Sequence, residues 1–348
     1  MDDLIRQTRN RKTDHININL NKDVRSSLSA GFELFHFVHD PLPELDMEEI
    51  DLTSVFLEKS VKAPLLISSM TGGTSEGLKI NINLAVAAEA TGIAMGLGSQ
   101  RAGLESPEIA QTYNLRKWAP HIPIYANLGA VQLNYGCGLD DCKRVIEMAQ
   151  ADALILHLNP LQEALQPEGQ TRFAGLAKKI EGICKNVGVP VIAKEVGWGI
   201  SATAARKLLN LGVTCIDVAG AGGTSWSQVE KYRNSAEERI RISSHFQDWG
   251  LPTAMAVKEV CTALPGTPVI ASGGLRKGLD LAKSLALGAS MGGIAGGFLE
   301  AATRSSEAVV SLVDEILLEL RITMFAVGAA DIKTLKKSPI HRQELNGC

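Results

Sequence analysis

Asp152-Ala153-Leu154-Ile155-Leu156-His157-Leu158-Asn159-Pro160-Leu161-Gln162-Glu163 is a short apolar run that ends in a dense polar cluster. The run has the look of a fully buried strand. An imidazole, two amides and a carboxylate then fall within seven residues, and Pro160 stops the strand from continuing. Polar groups bunched just past the C-terminal end of a buried strand are what an α/β enzyme offers a substrate. A loop after a strand can also be polar for solvation alone, so the reading depends on whether the pattern recurs. It does.

Upstream, residues 63–68, 93–98 and 123–126 read as strands, and downstream so do 190–194, 214–218, 269–272 and 290–294. With 153–158 they make eight. Helices are expected between them at 76–90, 140–149, 173–185, 202–211, 253–264 and 279–287. Another opens near Ser106-Pro107-Glu108, a good cap with proline in the first turn. Val309, Leu312, Val313, Ile316, Leu317 and Leu320 mark a last helix by their i, i+3, i+4, i+7 spacing. Eight βα units over about 265 residues are the count and size of a single (β/α)8 TIM barrel. A doubly wound open sheet competes, but no Gly-x-Gly-x-x-Gly follows any strand. The chain thus divides into an N-terminal extension (1–60), charged and irregular with short elements, a barrel (61–330) and a tail (331–348) that carries no motif. A long insertion after the sixth strand, 220–250, carries Trp226 and Trp249.

Composition narrows the partners. The 348 residues are 45% hydrophobic with a net charge of -3, which gives no reason to expect nucleic acid or an anionic membrane. No apolar run approaches the roughly 18 residues that span a bilayer. The first six residues lack the apolar core of a secretory signal, so a cytoplasmic address is expected. Cys137, Cys142, Cys184, Cys215, Cys261 and Cys348 form no Cys-x-x-Cys pair and read as reduced packing residues. The histidines lack metal spacing, although His36 and His39 could share a helix face. By pattern alone, the basic cluster from Arg9 to His15 reads as a solvated surface run.

In a barrel the loops after the strands form one functional ring. In chain order the ring carries Ser69-Met70-Thr71-Gly72-Gly73, Ser99-Gln100-Arg101, Asn127-Leu128-Gly129-Ala130, the heptad from His157 to Glu163, Lys194-Glu195, and Ala219 to Ser225. Gly273-Gly274-Leu275-Arg276 and Ala295-Gly296-Gly297-Phe298 close it. Glycine-rich loops after strands 7 and 8, with a short helix starting near Phe298, are the usual barrel phosphate site. Glycines also simply permit tight turns, but two adjacent loops with Arg276 favour a phosphate. A phosphate there often belongs to a cofactor. Lys194 could then stabilise a reduced flavin, form a Schiff base, or pair with Glu195.

Seven of these segments closely resemble the type 2 isopentenyl-diphosphate delta-isomerases, FMN-dependent barrel enzymes. They are Arg11-Lys12-x-Asp14-His15, Ser68 to Gly73, Gly98-Ser99-Gln100-Arg101, Ala126-Asn127-Leu128-Gly129, His157-Leu158-Asn159-Pro160-x-Gln162-Glu163, Lys194-Glu195-x-Gly197 and Gly222-Gly223-Thr224-Ser225-Trp226. The resemblance runs from about Arg11 to the last helix. The Arg-Lys pair and the heptad are its most specific parts.

The resemblance implies a set of roles. FMN would be held by Ser69, Met70, Thr71, Ser99, Asn127, Lys194 and Thr224, with Gly274, Leu275, Arg276, Ala295 and Gly296 around its phosphate. The diphosphate of isopentenyl or dimethylallyl diphosphate would meet Arg11, Lys12, Ser99, Gln100 and Arg101, which brings the N-terminal extension into the substrate site. Glu163 would coordinate Mg²⁺, Gln162 would sit near the isoprenyl carbons, and His157 and Asn159 would shape their surroundings. The implied reaction is redox-neutral, with one proton added at C4 and one removed from C2 on flavin reduced beforehand by NADPH. A homo-oligomer, tetramer or octamer, is implied too. An FMN oxidoreductase of the 2-hydroxy-acid oxidase type is the nearest rival. It needs a histidine base late in the barrel, and no histidine lies near Arg276 or in the expected context after strand 6. A flavin-binding barrel without turnover is the second rival, but it leaves Arg11, Lys12, Gln162 and Glu163 without purpose.

Overall fold

Eight short strands close on themselves. In the computed structural model, which describes residues 2–343 with side chains from Arg11 onward, these are β1 (Leu65–Ile67), β2 (Ala94–Gly96), β3 (Ile124–Gly129), β4 (Ala153–His157), β5 (Val191–Lys194), β6 (Cys215–Asp217), β7 (Val269–Ser272) and β8 (Met291–Ile294). Every neighbouring pair is parallel, and β8 returns to β1. The expected (β/α)8 barrel is the observed fold.

Side chains alternate across each strand, and the core splits accordingly. Leu154 and Leu156 face outward into the cluster that packs the helices, while Ala153 and Ile155 face the barrel axis. The axial cluster also contains Leu66, Ala94, Tyr125, Ile192, Cys215, Ile270 and Met291. Its lower end is closed by a hairpin, Ser54–Phe56 against Lys59–Val61, turned by Leu57 and Glu58 at positive φ. Phe56 from this hairpin reaches Tyr125, with ring centroids 6.2 Å apart. Burying Phe56 contributes about 2 kcal/mol. The plug leaves function to the opposite end.

Adding two residues to each axial position gives the next layer toward that end: Ser68, Gly96, Asn127, His157, Lys194, Asp217, Ser272 and Gly293. The step from apolar to polar or glycine occurs in every strand. This layer is the floor of the site.

Several local expectations need correction. The extension is not irregular throughout, because α1 (Asp2–Asn21) is a 20-residue helix. No glycine or proline precedes Gly31, so nothing breaks it. Its long polar run hid the apolar period. The helix expected from Pro107 spans only Pro107–Ala110, with Ser106 accepting from the Ile109 N–H as cap, before a 3-10 turn takes over. The heptad is not all loop: Pro160 opens a helix, α2 (Pro160–Leu165), as proline at a first helical position can. His36 lies in a strand rather than a helix, paired with His341 where Phe35–Phe37 meets Ile340–Arg342, and His39 lies in coil. Cys348 lies outside the described residues. Within the insertion are α3 (Trp226–Arg233) and a second helix, Glu237–Ser244. After β8 come α4 (Gly296–Arg304) and α5 (Ser306–Ala326). No helix among the described residues is long and apolar enough to cross a membrane.

Candidate active site

The strand ends surround a cavity of about 910 Å³ that α1 and α3 help to wall. Among the residues lining it are Arg11, Lys12, Ser69, Met70, Thr71, Ser99, Arg101, Asn127, His157, Asn159, Gln162, Glu163, Lys194, Thr224, Gly274, Leu275, Arg276, Ala295 and Gly296. These are site residues named from the sequence. Gln100 does not join them. Its Nε2 donates to Val145 O and its Oε1 accepts the Asn127 N–H, both at 2.8 Å, so it ties β3 in place from behind. A residue between two cavity residues need not face the cavity where the chain turns into a helix, here Arg101–Glu105.

On the floor, His157 Nδ1 lies 2.8 Å from Asn127 Oδ1. Burial, then Lys194 and Arg11, lower its pKa to about 4, so the ring is neutral and Nδ1–H donates to the amide oxygen. Lys194 Nζ lies 3.3 Å from Asp217 Oδ2 and donates to the Glu195 carbonyl at 3.1 Å. The alternative pairing with the Glu195 side chain does not occur. That carboxylate turns away and accepts backbone N–H groups from Val196, Gly197 and Trp198 at 2.6–2.7 Å. Burial raises its pKa to about 7 against those donors and Lys194.

One wall is built by the heptad. Asn159 Nδ2 donates to Gln162 Oε1 at 3.1 Å and to Glu163 Oε1 at 3.0 Å. The other Glu163 oxygen accepts from Gln166 Nε2 and, at 2.6 Å, from the Gln170 N–H. Gln162 Nε2 donates to Glu230 Oε1 at 3.0 Å. Glu230, fully buried on α3, also meets His15 Nε2 at 3.1 Å and Arg233 at 2.8 Å. Burial pushes the Glu230 carboxyl up, but His15, Arg233 and Gln162 together hold it below its ordinary value. Burial lowers His15 despite Glu230, so a neutral imidazole donates to a carboxylate. His15 stands edge-on to Trp226, ring centroids 5.0 Å apart.

Above this wall stand the cations. Arg11 lies in the fields of Arg101, Glu168, Glu163 and Arg233, and burial is the largest influence lowering it. Lys12 Nζ donates to Ser99 O at 2.9 Å and to the Tyr113 hydroxyl, which itself donates to Ser99 O. Burial, then Arg11, lower Lys12 to about 7. Arg101 reaches Gln170 Oε1 at 3.2 Å, and Gln132 Nε2 donates to the same oxygen at 2.6 Å.

Elsewhere around the cavity, the loops after β6 and β7 approach backbone to backbone. A Cβ on Gly273 (φ +100) would lie 2.1 Å from Gly220 O, and one on Gly274 (φ +80) 2.5 Å from the Gly222 carbonyl carbon. Gly296, first residue of α4, has open space where a Cβ would stand. N–H groups at a helix start facing free space suit an anion. On the floor beside them, the Ser68 and Ser69 hydroxyls are buried with no hydrogen-bond partner among the described residues. Such orphans are costly unless something polar meets them.

Sequence reasoning missed Glu230 and gave His15 no role. Glu230 sat in an insertion noted only for charge and tryptophans, and His15 was part of a motif that assigned contacts to Arg11 and Lys12 alone.

Known proteins resemble this chain closely. A sequence profile for the FMN-dependent dehydrogenase family matches residues 150–342. The isopentenyl-diphosphate delta-isomerase of Nostoc sp. is 50% identical over 95% of both chains. That of Rickettsia felis is 49% identical over 95% of this chain and 96% of its own. Among solved structures, an arginine-to-lysine mutant of flavocytochrome b2 aligns over 96% of this chain and 85% of its own, with TM-score 0.71 and 16% identity. That likeness concerns the fold.

Proposed function

The chain belongs to the isopentenyl-diphosphate delta-isomerase family, within the wider FMN-dependent dehydrogenase family, and from that premise we propose that it interconverts isopentenyl and dimethylallyl diphosphate on reduced FMN with Mg²⁺. The observation that carries the reading is one cavity lined by two groups of residues suited to anions. Arg11, Lys12 and Arg101 line it beside Glu163, while Gly274, Ala295 and Gly296 line it near Lys194. Two phosphate-bearing molecules suit such a cavity better than one.

FMN fits the residues present. The Gly296 opening takes its phosphate, the unpartnered Ser68 and Ser69 hydroxyls and the Asn127 amide offer hydrogen bonds to the ring system, and Lys194 offers a positive charge. When bound in its reduced form, FMN supplies an electron-rich ring able to hold and return a proton beside a developing cation. Arg11, Lys12 and Arg101 bind the diphosphate, and Ser99 closes that end. Mg²⁺ fits Glu163 because this ion takes one or two carboxylates and completes its shell from phosphate oxygens and water. Among the described residues Glu163 Oε1 accepts a single hydrogen bond, which leaves it capacity for a metal.

Between the two anion-suited groups, Gln162 presents a neutral amide to the isoprenyl carbons, held by Asn159 and Glu230. His157 stays neutral, and its contact with Asn127 Oδ1 orients that amide toward the cavity. NADPH acts only as the reductant of the flavin. The reading extends to a cytoplasmic homo-oligomer, a tetramer or octamer. The five described cysteines are free, as suits a reducing compartment. Leu318 and Ile322, about half exposed one turn apart on α5, offer an apolar contact.

The test is anaerobic incubation of FMN-loaded protein with Mg²⁺, isopentenyl diphosphate and NADPH far below one equivalent, in deuterated water. Many turnovers per NADPH and deuterium in the product are expected. Stoichiometric NADPH consumption, or product with fully oxidised flavin, overturns the redox-neutral reading on reduced flavin. The cavity's histidines are His15 and His157, neither from the late-barrel loops, which weighs against the rival 2-hydroxy-acid oxidoreductase.

A further inference from the structure

We propose that Asp217 is a positioning residue that holds the Lys194 ammonium in place and limits how far that ammonium raises the reduction potential of the bound flavin. The inference rests on the FMN reading above.

Asp217 is 1% exposed and does not line the cavity, whereas Lys194 and Ser272 do. Its Oδ1 accepts the Ser272 hydroxyl at 2.6 Å and the Ala219 N–H at 3.3 Å. Its Oδ2 faces Lys194 Nζ at 3.3 Å and has no hydrogen-bond partner among the described residues. Lys194 also donates weakly to Ser272 Oγ at 3.4 Å. These three residues sit on adjacent strands β5, β6 and β7 at the same level of the floor, so the arrangement is built into the barrel rather than into a loop.

The sign of the effect follows from charge. A lone ammonium against the ring favours the reduced, more negative flavin. A carboxylate directly behind it converts that monopole into a dipole, whose field falls off faster with distance. In a buried site little water is present to screen either charge. The carboxylate therefore keeps the reduced ring basic enough to exchange a proton, as a redox-neutral proton transfer needs, instead of stabilising it as an electron sink. Ser272 tunes the same device, since its hydroxyl partly neutralises the carboxylate.

The experiment is a dye-coupled anaerobic reductive titration of the FMN-loaded enzyme at one pH. Asp217→Asn should raise the midpoint potential, favouring bound reduced over oxidised FMN by about tenfold, or about 30 mV for a two-electron couple. Ser272→Ala leaves the carboxylate with one donor fewer, so its potential should fall below wild type. Opposite shifts from neighbouring substitutions are not what general damage produces. Unchanged potentials in FMN-loaded variants overturn the proposal and leave the FMN reading standing. A wild-type protein that takes up no FMN removes both. If Asp217→Asn does not fold, Ser272→Ala decides alone: a lower potential supports the role, and an equal or higher one ends it.

Discussion

Gln162 donates its amide to the same Glu230 oxygen that His15 contacts, at 3.0 and 3.1 Å. The carboxylate settles which end of the Gln162 amide is nitrogen, because a carboxylate can only accept. The amide oxygen is then left to Asn159. Gln162 is therefore held at both ends by groups on different elements, and its orientation toward the cavity depends on α3.

Replacing Glu230 should accordingly act on turnover more than on cofactor. Glu230→Ala strips an acceptor from His15, Gln162 and Arg233 together. Removing one partner of a buried ionic cluster costs about 3 kcal/mol of stability. Turnover should fall by tenfold or more while FMN uptake is unchanged, measured by steady-state kinetics on loaded protein beside urea unfolding. Unaltered turnover with lowered stability would make Glu230 a structural residue only.

Glu163 and Gln170 touch but should separate kinetically. Glu163→Gln removes the charge proposed to hold Mg²⁺, so activity should fall sharply and need more Mg²⁺, with FMN retained. Gln170→Ala keeps the backbone N–H that Glu163 accepts and loses only the oxygen serving Arg101 and Gln132. It should raise KM for the diphosphate about tenfold, near 1.4 kcal/mol, without shifting the Mg²⁺ response. A Mg²⁺ titration of both variants checks the split. Coincident changes would mean metal and diphosphate sites are one unit.

The two glycine loops should respond differently to one methyl group. Gly296→Ala has room in the chain but occupies the space proposed for the phosphate. It should fold normally and bind FMN about tenfold more weakly. Gly273→Ala combines φ +100 with a 2.1 Å approach to Gly220 O and should be markedly destabilised. Flavin fluorescence titration and thermal unfolding measure the two effects. Equal FMN affinity in Gly296→Ala would move the phosphate elsewhere.

The barrel was legible because its strands are apolar on both faces, and the site because each strand ends in a polar or glycine residue at the inward position. What escaped was non-local or unperiodic. Glu230 meets Gln162 across 68 residues of chain, and no spacing rule connects them. The helix α1 was hidden because few apolar side chains mark its inner face. Ile16 is buried, but polar contacts from Lys12, His15 and Asn19 do much of the docking. Gln100 misled for a simpler reason: neighbours in sequence diverge where a strand turns into a helix.

Lys12 gives the clearest pH signature. Burial and Arg11 lower its pKa to about 7, so near neutral pH a fraction of the empty sites carry a neutral amine. A bound diphosphate supplies negative charge and raises that pKa toward the ordinary lysine value, so the complex holds more protons than the free protein. By linkage, affinity contributed by Lys12 is fully present below about pH 7 and is lost as pH rises above it. The diphosphate's own ionisation runs the other way at lower pH, so the comparison must be with a variant. Calorimetry at pH 8 in buffers of different ionisation enthalpy should register close to one proton taken up per diphosphate by wild type. Lys12→Gln should take up almost none and bind with little dependence on pH above 7. The same proton count in both proteins would mean that Lys12 is charged before the substrate arrives, and that its bonds to Ser99 and Tyr113 outweigh its burial.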